Sequence, residues 1–228
     1  MAKIYRYYYY DEVNDDFANH GFSDKPVPED YDYDPKNPAF KFFRYVIYYG
    51  FLWLIWLVCV FPVRQKNRKV FKQRRDLSKG FFLYGNHTRN RLDAGAPPAA
   101  VFPAPGYIVV SPQAVNIKGI SLLVRLLGAV PVPSSSKTYR NFLKALRTFY
   151  EKGCPVTIYP EAHIWPDYHT IRDFKSVSFS YPVELNAPCF TQTTVYLKKK
   201  NGRTKPMIIY DGPFYPDLSL GRAKAKED

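Results

Sequence analysis

The chain has 228 residues, of which 46% are hydrophobic, enough to bury the core of one domain with an appendage. Its charge is uneven: residues 1–40 carry 4 Lys+Arg against 9 Asp+Glu, and residues 41–228 carry 29 against 11, a net of +18. Such a basic body favours an anionic partner, whether nucleic acid, anionic lipid or phosphorylated substrate. The cysteines Cys59, Cys154 and Cys189 fit neither a secreted disulfide framework nor a metal knuckle, and they indicate reduced thiols.

The first 40 residues are rich in Tyr, Asp and Pro and show no apolar period, which predicts an extended or weakly ordered arm. An uncharged run of 19 residues then separates Arg44 from Arg64. As a helix it would be about 28 Å long, close to the roughly 30 Å thickness of bilayer hydrocarbon. Tyrosines and tryptophans crowd its first half, as is typical of membrane interfaces. We therefore predict a membrane-associated helix at 45–63.

Eight Lys and Arg follow this helix between Arg64 and Lys79. A basic stretch of this kind is typical of the cytoplasmic side of a membrane, against anionic headgroups. The pattern leaves open whether the helix crosses the bilayer or lies in one leaflet. A buried core helix is the alternative, although the run is apolar on every face.

From residue 80, short apolar runs alternate with helical patterns. The runs predict strands at 81–85, 107–111, 129–132, 156–159, 190–197 and 206–210. Helices are predicted at 117–127 and at 137–152. The fold class is therefore α/β, with a mixed, largely parallel sheet flanked by helices and preceded by the membrane-associated helix. The predicted domains are the acidic arm (1–40), the membrane helix with its basic segment (41–79) and a catalytic domain (80–228).

The candidate site begins directly after the first of these strands, where His87 is followed by Asp93. An imidazole held by a carboxylate can act as a general base at neutral pH. Because no G-x-S-x-G elbow accompanies the pair, the nucleophile would be a substrate hydroxyl. Glu161 also follows a predicted strand, and ligands gather where parallel strands end, so His87 and Glu161 should line one cleft. The alternatives are a surface hydrogen bond or helix cap for the pair, and a helix start for Glu161.

Three sequence blocks carry a resemblance to a known family. They are Asn86-His87-Thr88 with Asp93, the stretch 119–130, and Tyr159-Pro160-Glu161-Ala162-His163-Ile164. In this order they resemble the glycerolipid acyltransferase superfamily over residues 41–215, in particular a divergent, bacterial-type branch of the 1-acylglycerol-3-phosphate acyltransferases. Five residues rather than the family's four separate the His from the Asp. Ser134 stands where the second block of the family ends in Arg.

The resemblance implies a membrane-bound enzyme that moves a fatty acyl group from acyl-CoA or acyl-carrier protein to a lysophospholipid, converting lysophosphatidic acid to phosphatidic acid. It makes His87 the general base and Asp93 the residue that orients it. It implies no metal and no cofactor beyond the acyl donor. It places the enzyme in the cytoplasmic membrane, with the catalytic domain facing the cytoplasm. The residues expected to bind substrate are Asn86, Thr88, Arg125, Lys137, Arg140, Glu161, Ala162 and His163. Among them, the cations Arg125, Lys137 and Arg140 are the candidates for binding the phosphate of the acceptor.

Other functions remain open at this point. The absence of the second-block Arg favours a lipid acceptor that lacks a phosphate. A non-catalytic, membrane-anchored protein that binds anionic lipid is a further alternative. Basic residues at 198–205 suit a solvated hairpin, and without an RNA-binding motif we expect no nucleic-acid partner. A zinc site is the remaining alternative, built from Cys154, His163, His169 and Cys189.

Overall fold

The computed structural model describes residues 7–17, 25–200 and 202–227. Within these residues the strands form one seven-stranded sheet. The strands are β1 (Arg64–Lys66), β2 (Phe82–Gly85), β3 (Tyr107–Val110), β4 (Ala129–Pro131), β5 (Val156–Ile158), β6 (Cys189–Lys198) and β7 (Thr204–Phe214). Their order across the sheet is β1-β7-β6-β2-β5-β3-β4, and β6 with β7 is the antiparallel pair. The predicted mixed, largely parallel sheet is confirmed.

The helices flank this sheet, as predicted. They are α1 (Pro38–Ile55), α2 (Asn90–Val101), α3 (Pro112–Val115), α4 (Ser121–Leu126), α5 (Ser136–Glu151) and α6 (Ser180–Leu185). A π-helical turn at Trp56–Val60 extends α1, and a 3-10 helix at Arg68–Gln73 follows β1. Since β6, β2, β5, β3 and β4 run parallel, they all begin at one edge of the sheet, here called the amino edge, and end at the opposite, carboxyl edge.

Helix α5 shows how local sequence places an element. Ser135 accepts from the backbone N–H of Thr138, and the Thr138 side chain in turn accepts from the N–H of Ser135, forming a capping box. Apolar residues at helical spacing then bury one stripe, including Phe142 and Phe149. Gly153 ends the element with a φ of 74°, a left-handed conformation that favours glycine.

The core lies on both faces of the sheet because β2 is buried on both. Phe82 packs on the α5 side, where Val27 and Tyr33 of the arm join the same cluster. Leu83 packs on the opposite side, with residues of α1 and α2. The part of the arm after residue 25 is therefore built into the core at these two side chains, although it lacks regular structure.

Helix α1 begins at Pro38, before the uncharged run, because the Asn37 side chain accepts from the N–H of Ala39 and caps it. The segment Pro38–Val58 is long and apolar enough to span a membrane. One face of it packs on the body through Tyr48 and Leu52, whereas the opposite face leaves apolar side chains exposed. These are Phe42, Phe43, Val46, Trp53 and Leu54.

Candidate active site

The loop after β2 carries His87 at the carboxyl edge. Its neighbour β6 continues beyond the end of β2 and holds this loop in place. The Asn86 amide donates to the carbonyl of Thr194 at 3.0 Å and accepts from its N–H at 2.8 Å. The hydroxyl of Tyr196 donates to Thr88 Oγ1 at 2.8 Å. Asn86 and Thr88, which were expected to bind substrate, are both buried. Their side chains form hydrogen bonds to β6 and so fix the position of the loop.

The imidazole and carboxylate of the predicted pair are in direct contact. His87 Nδ1 lies 2.9 Å from Asp93 Oδ2. The same oxygen accepts from the backbone N–H groups of Thr88, at 2.9 Å, and Arg89, at 2.8 Å. Because the carboxylate can only accept, the neutral imidazole carries its proton on Nδ1, which leaves the lone pair on Nε2. Asp93 is 1% exposed and the His87 side chain 23%, so the ring presents its unbonded nitrogen from a fixed position.

The position of Asp93 was not predicted from the sequence, which indicated helices only at 117–127 and 137–152 within the body. Asp93 lies in the first turn of α2, and His87 lies on the loop that precedes this helix. Pro97 and Pro98 inside α2 obscured this helix, because proline normally ends one. The helix placement stabilises a carboxylate, since the N-terminus of a helix carries partial positive charge.

Tyr159 is a site residue that sequence reasoning missed. Pro97 has no N–H, so the carbonyl of Asp93, four residues earlier, lacks its helical donor. The Tyr159 hydroxyl donates to that carbonyl at 2.6 Å, and the Tyr159 ring stacks on the His87 ring with centroids 4.5 Å apart. Burial raises the pKa of Tyr159 well above its usual range, which keeps the hydroxyl a donor. A proline four residues after the carboxylate is the signal that could have revealed this contact.

Changing Tyr159 to Phe should separate the contribution of its hydroxyl group from that of its ring. The ring stack remains, but the buried Asp93 carbonyl and the Gln192 amide, 3.3 Å from the hydroxyl, lose a partner. We expect a stability loss of about 1–3 kcal/mol, the usual effect of a buried unsatisfied group. Thermal unfolding in detergent measures it, with exposed Tyr139→Phe as the matched control. Equal unfolding midpoints for the two variants would contradict this account.

Glu161 connects the His87 loop to the segment that follows β5. Its Oε2 accepts from the N–H of His87 at 3.2 Å, and its Oε1 from the N–H of Arg172 at 3.3 Å. The Arg172 guanidinium lies 3.4 Å from Oε2, and its side chain is fully buried. Burial raises the pKa of Glu161, while the His87 N–H and the Arg172 cation oppose that rise. Glu161 is 3% exposed, so it positions the loop that bears His87 and presents no free carboxylate to an acceptor.

The residues that follow Glu161 turn toward the acidic arm. Ala162 has a φ of 62° and reverses the chain there. His163 Nδ1 then lies 3.4 Å from Asp16 Oδ2, so this histidine faces the arm. The Trp165 indole donates to the carbonyl of Asp15 at 2.8 Å, while its backbone N–H donates to the carbonyl of His87 at 3.1 Å. Arm residues 7–17 therefore pack on the segment that supports the His87 loop.

The three cations expected to hold a phosphate are not gathered around His87. Arg125 lies in the last turn of α4 at the amino edge, where its guanidinium lies 4.7 Å from the centre of the Tyr31 ring. Lys137 and Arg140 lie in the first turns of α5, which follows β4 at the carboxyl edge. Three strand spacings separate β4 from β2, about 14 Å at the usual distance between strands. Arg125 thus lies at the edge opposite to His87. Lys137 and Arg140 lie at the same edge as His87, but beside β4 at the end of the sheet.

The zinc alternative does not fit the topology. Cys154 precedes β5 and Cys189 begins β6, both at the amino edge. His163 and His169 follow β5, on the carboxyl side. Across the described ranges, no group of three or more His, Cys, Asp or Glu side chains is placed to hold a metal ion.

The chain matches the model of a known protein family. The family model described as Acyltransferase matches residues 60–196. A search of curated proteins found no match. The matched span starts at the end of the π-helical turn that extends α1 and finishes at Tyr196, which bonds to the His87 loop. It therefore contains His87, Asp93 and Glu161 together with the strands that place them.

Proposed function

This chain belongs to the Acyltransferase family, and we propose that it transfers a fatty acyl group from a thioester donor to the hydroxyl of a lysophospholipid, making phosphatidic acid from lysophosphatidic acid. The family match supports acyl transfer in lipid metabolism; the acceptor and the donor, acyl-CoA or acyl-carrier protein, are our proposal. The observation that carries it is the 2.9 Å contact between His87 and a buried carboxylate, at the edge of the sheet where ligands collect.

In the proposed mechanism, His87 Nε2 takes the proton of the acceptor hydroxyl as its oxygen attacks the thioester carbonyl. The C–O bond forms, the C–S bond breaks, and the departing thiolate takes the proton back from the imidazolium. Asp93 stabilises that imidazolium and holds the ring, as the carboxylate of a Ser-His-Asp triad does. No acyl-enzyme is needed, because the substrate hydroxyl is itself the nucleophile.

The membrane helix fits such a substrate. Both the acceptor and the acyl chain reside in the bilayer, so a protein docked there meets them at high local concentration. We propose that the exposed apolar face of α1, including Phe43 and Trp53, enters the cytoplasmic membrane. The basic stretch Arg64–Lys79 would then contact anionic headgroups and keep the catalytic domain on the cytoplasmic side.

A second candidate acceptor is a lipid without a phosphate. Ser134 stands where an Arg ends the second block of the family, and its Oγ accepts from the N–H of Val27 at 3.0 Å, so the arm already engages it. Phosphate recognition normally needs cationic or N–H donors. Of the three cations expected to hold the phosphate, Lys137 and Arg140 are the two at this edge, and Lys137 lies 3.4 Å from Glu29. Their distance from His87 is what favours the phosphate-free acceptor.

A direct assay tests these proposals. Detergent-purified full-length protein is given labelled lysophosphatidic acid or the matching monoacylglycerol, with either acyl-CoA or acyl-carrier protein as donor. Labelled phosphatidic acid supports the leading proposal and identifies the donor, whereas diacylglycerol alone supports the second acceptor. No transfer to either acceptor from either donor would overturn both, and would favour the non-catalytic lipid-binding alternative.

A further inference from the structure

A cavity of about 210 Å³ lies at the amino edge, away from His87. It is bounded by the arm, by the first part of α1 and by the residues that lead into β3, β4 and β5. Cys154, which lines the cavity, precedes β5, whereas Glu161, which contacts the His87 loop, follows it. The extended chain between these two residues is roughly 20 Å long, so the cavity and the His87 site lie at opposite edges of the sheet. The four cationic residues that line the cavity come from separate parts of the fold: Lys41, Arg44, Arg125 and Lys152.

Two residues that line this cavity each carry a buried donor with no hydrogen-bond partner among the residues that the structure describes. These donors are the hydroxyl of Tyr33 and Nη2 of Arg44. Tyr33 is only 7% exposed, and buried polar groups are normally paired. Burial raises the pKa of Tyr33 to about 12, so its hydroxyl stays protonated and remains able to donate. Both unpaired groups can therefore donate to an acceptor atom, such as the oxygen of an anion.

The charge of the lining favours an anion as well. Four cationic residues and two carboxylates, those of Asp32 and Asp34, line the cavity. Asp34 already pairs with Lys152 at 3.3 Å, and Asp32 Oδ1 accepts from the backbone N–H of Asp34 at 3.1 Å. The Arg44 guanidinium is held 4.1 Å from the centre of the Tyr107 ring, a cation–π contact that fixes its plane. A fixed, partly buried guanidinium beside further cations suits the oxygens of a phosphate.

We propose that this cavity binds a phosphate ester, namely the headgroup phosphate of an anionic phospholipid, at a site separate from the catalytic one. The lipid source is favoured because Lys41 and Arg44 lie on α1, next to its exposed apolar residues Phe42, Phe43 and Tyr45. A phospholipid whose phosphate enters the cavity could lay its chains along that face. The bound lipid would lock α1, the arm and α4 together. This site does not depend on the proposed catalytic function.

Binding by the full-length protein in neutral detergent tests the site. Titration calorimetry with a short-chain anionic lipid, dihexanoyl phosphatidylglycerol, is compared with inorganic phosphate and with zwitterionic dihexanoyl phosphatidylcholine. We expect saturable binding of one phosphatidylglycerol per chain. Arg44→Gln should weaken it about 10-fold or more, the effect of losing a hydrogen bond to a charged group, and Tyr33→Phe should weaken it several-fold. Exposed Lys144→Gln is the charge-matched control and should leave it unchanged.

The lipid and free-phosphate sources give different outcomes. Equal affinity for inorganic phosphate would replace the lipid headgroup with a free anion as occupant and overturn the lipid assignment. Non-saturable binding, or equal losses in Arg44→Gln and Lys144→Gln, would show general charge attraction and overturn the site itself. Tyr33→Phe removes a single hydroxyl, so its melting temperature verifies that a loss of binding is not a loss of fold.

Discussion

Replacing His87 with alanine is expected to lower the rate of acyl transfer by about 10²- to 10⁴-fold, the usual contribution of a positioned general base. The side chain is partly exposed and contributes little to the core, so the fold should survive. Asp93→Asn should give a loss in the same range, because an amide at this position no longer holds Nδ1 as a donor. Initial rates at saturating donor, with melting temperatures of each variant, provide the measurement.

His169→Ala is the control for the loss of an imidazole. His169 is exposed and stacks on Tyr196, with ring centroids 4.6 Å apart, without contacting the reacting ring. Its activity should stay within a few-fold of wild type. Undiminished acyl transfer by His87→Ala would contradict the general-base mechanism. A loss of activity in His169→Ala comparable to that in His87→Ala would mean that the loss reflects a structural change at the carboxyl edge rather than the loss of the base.

The largest effect on stability is expected from Glu161→Ala. This change leaves the Arg172 cation fully buried without its carboxylate, although the cation still donates to the carbonyl of Glu12 at 3.0 Å and to that of His163. Breaking a buried pair on one side costs about 3–5 kcal/mol. For a chain of this size, that corresponds to a fall of roughly 6–20 °C in the melting temperature. The His87 N–H also loses its acceptor, so activity should fall in the folded fraction as well.

Glu184→Ala is the matched comparison for this prediction. Glu184 pairs with Arg147 at 3.6 Å on the surface, and both side chains are largely exposed. Exposed pairs typically contribute about 0–1 kcal/mol. Circular dichroism melts of both variants in the same detergent give the comparison. If Glu161→Ala melted within a few degrees of Glu184→Ala, the ion pair between Glu161 and Arg172 would not be what holds the His87 loop to the segment after β5.

The parts of the fold that the sequence revealed are those where a local pattern and the packing agree. Helix α5 has helical apolar spacing, a serine cap and a terminal glycine, and its observed bounds lie within one residue of the predicted ones. Strand β2 is a short apolar run buried on both faces, so it stood out as well. The approach of His87 to Glu161 followed from the rule that parallel strands end at one edge.

Elements whose stability depends on distant contacts were not predictable in this way. Strand β1 is the polar run Arg64-Gln65-Lys66, which becomes a strand only because β7 offers a free edge. Helix α2 contains two prolines, and the Tyr159 hydroxyl satisfies a carbonyl that they leave without a donor. Arg125 was assigned to the phosphate by its place in the chain, but the direction of α4 carries it to the amino edge. No local pattern reports such tertiary placement.

The pairing of β1 with β7 determines where the chain can be truncated without exposing an edge of the sheet. A fragment that starts at residue 80, where the apolar alternation begins, would discard β1, and with it Phe71, which stacks on Phe81 at 5.2 Å. The N–H and C=O groups of β7 that β1 had paired would then be exposed, and β7 could pair with the exposed β7 of another molecule. Such fragments should accumulate as insoluble aggregates, whereas fragments that start before Arg64 retain the strand that closes this side of the sheet.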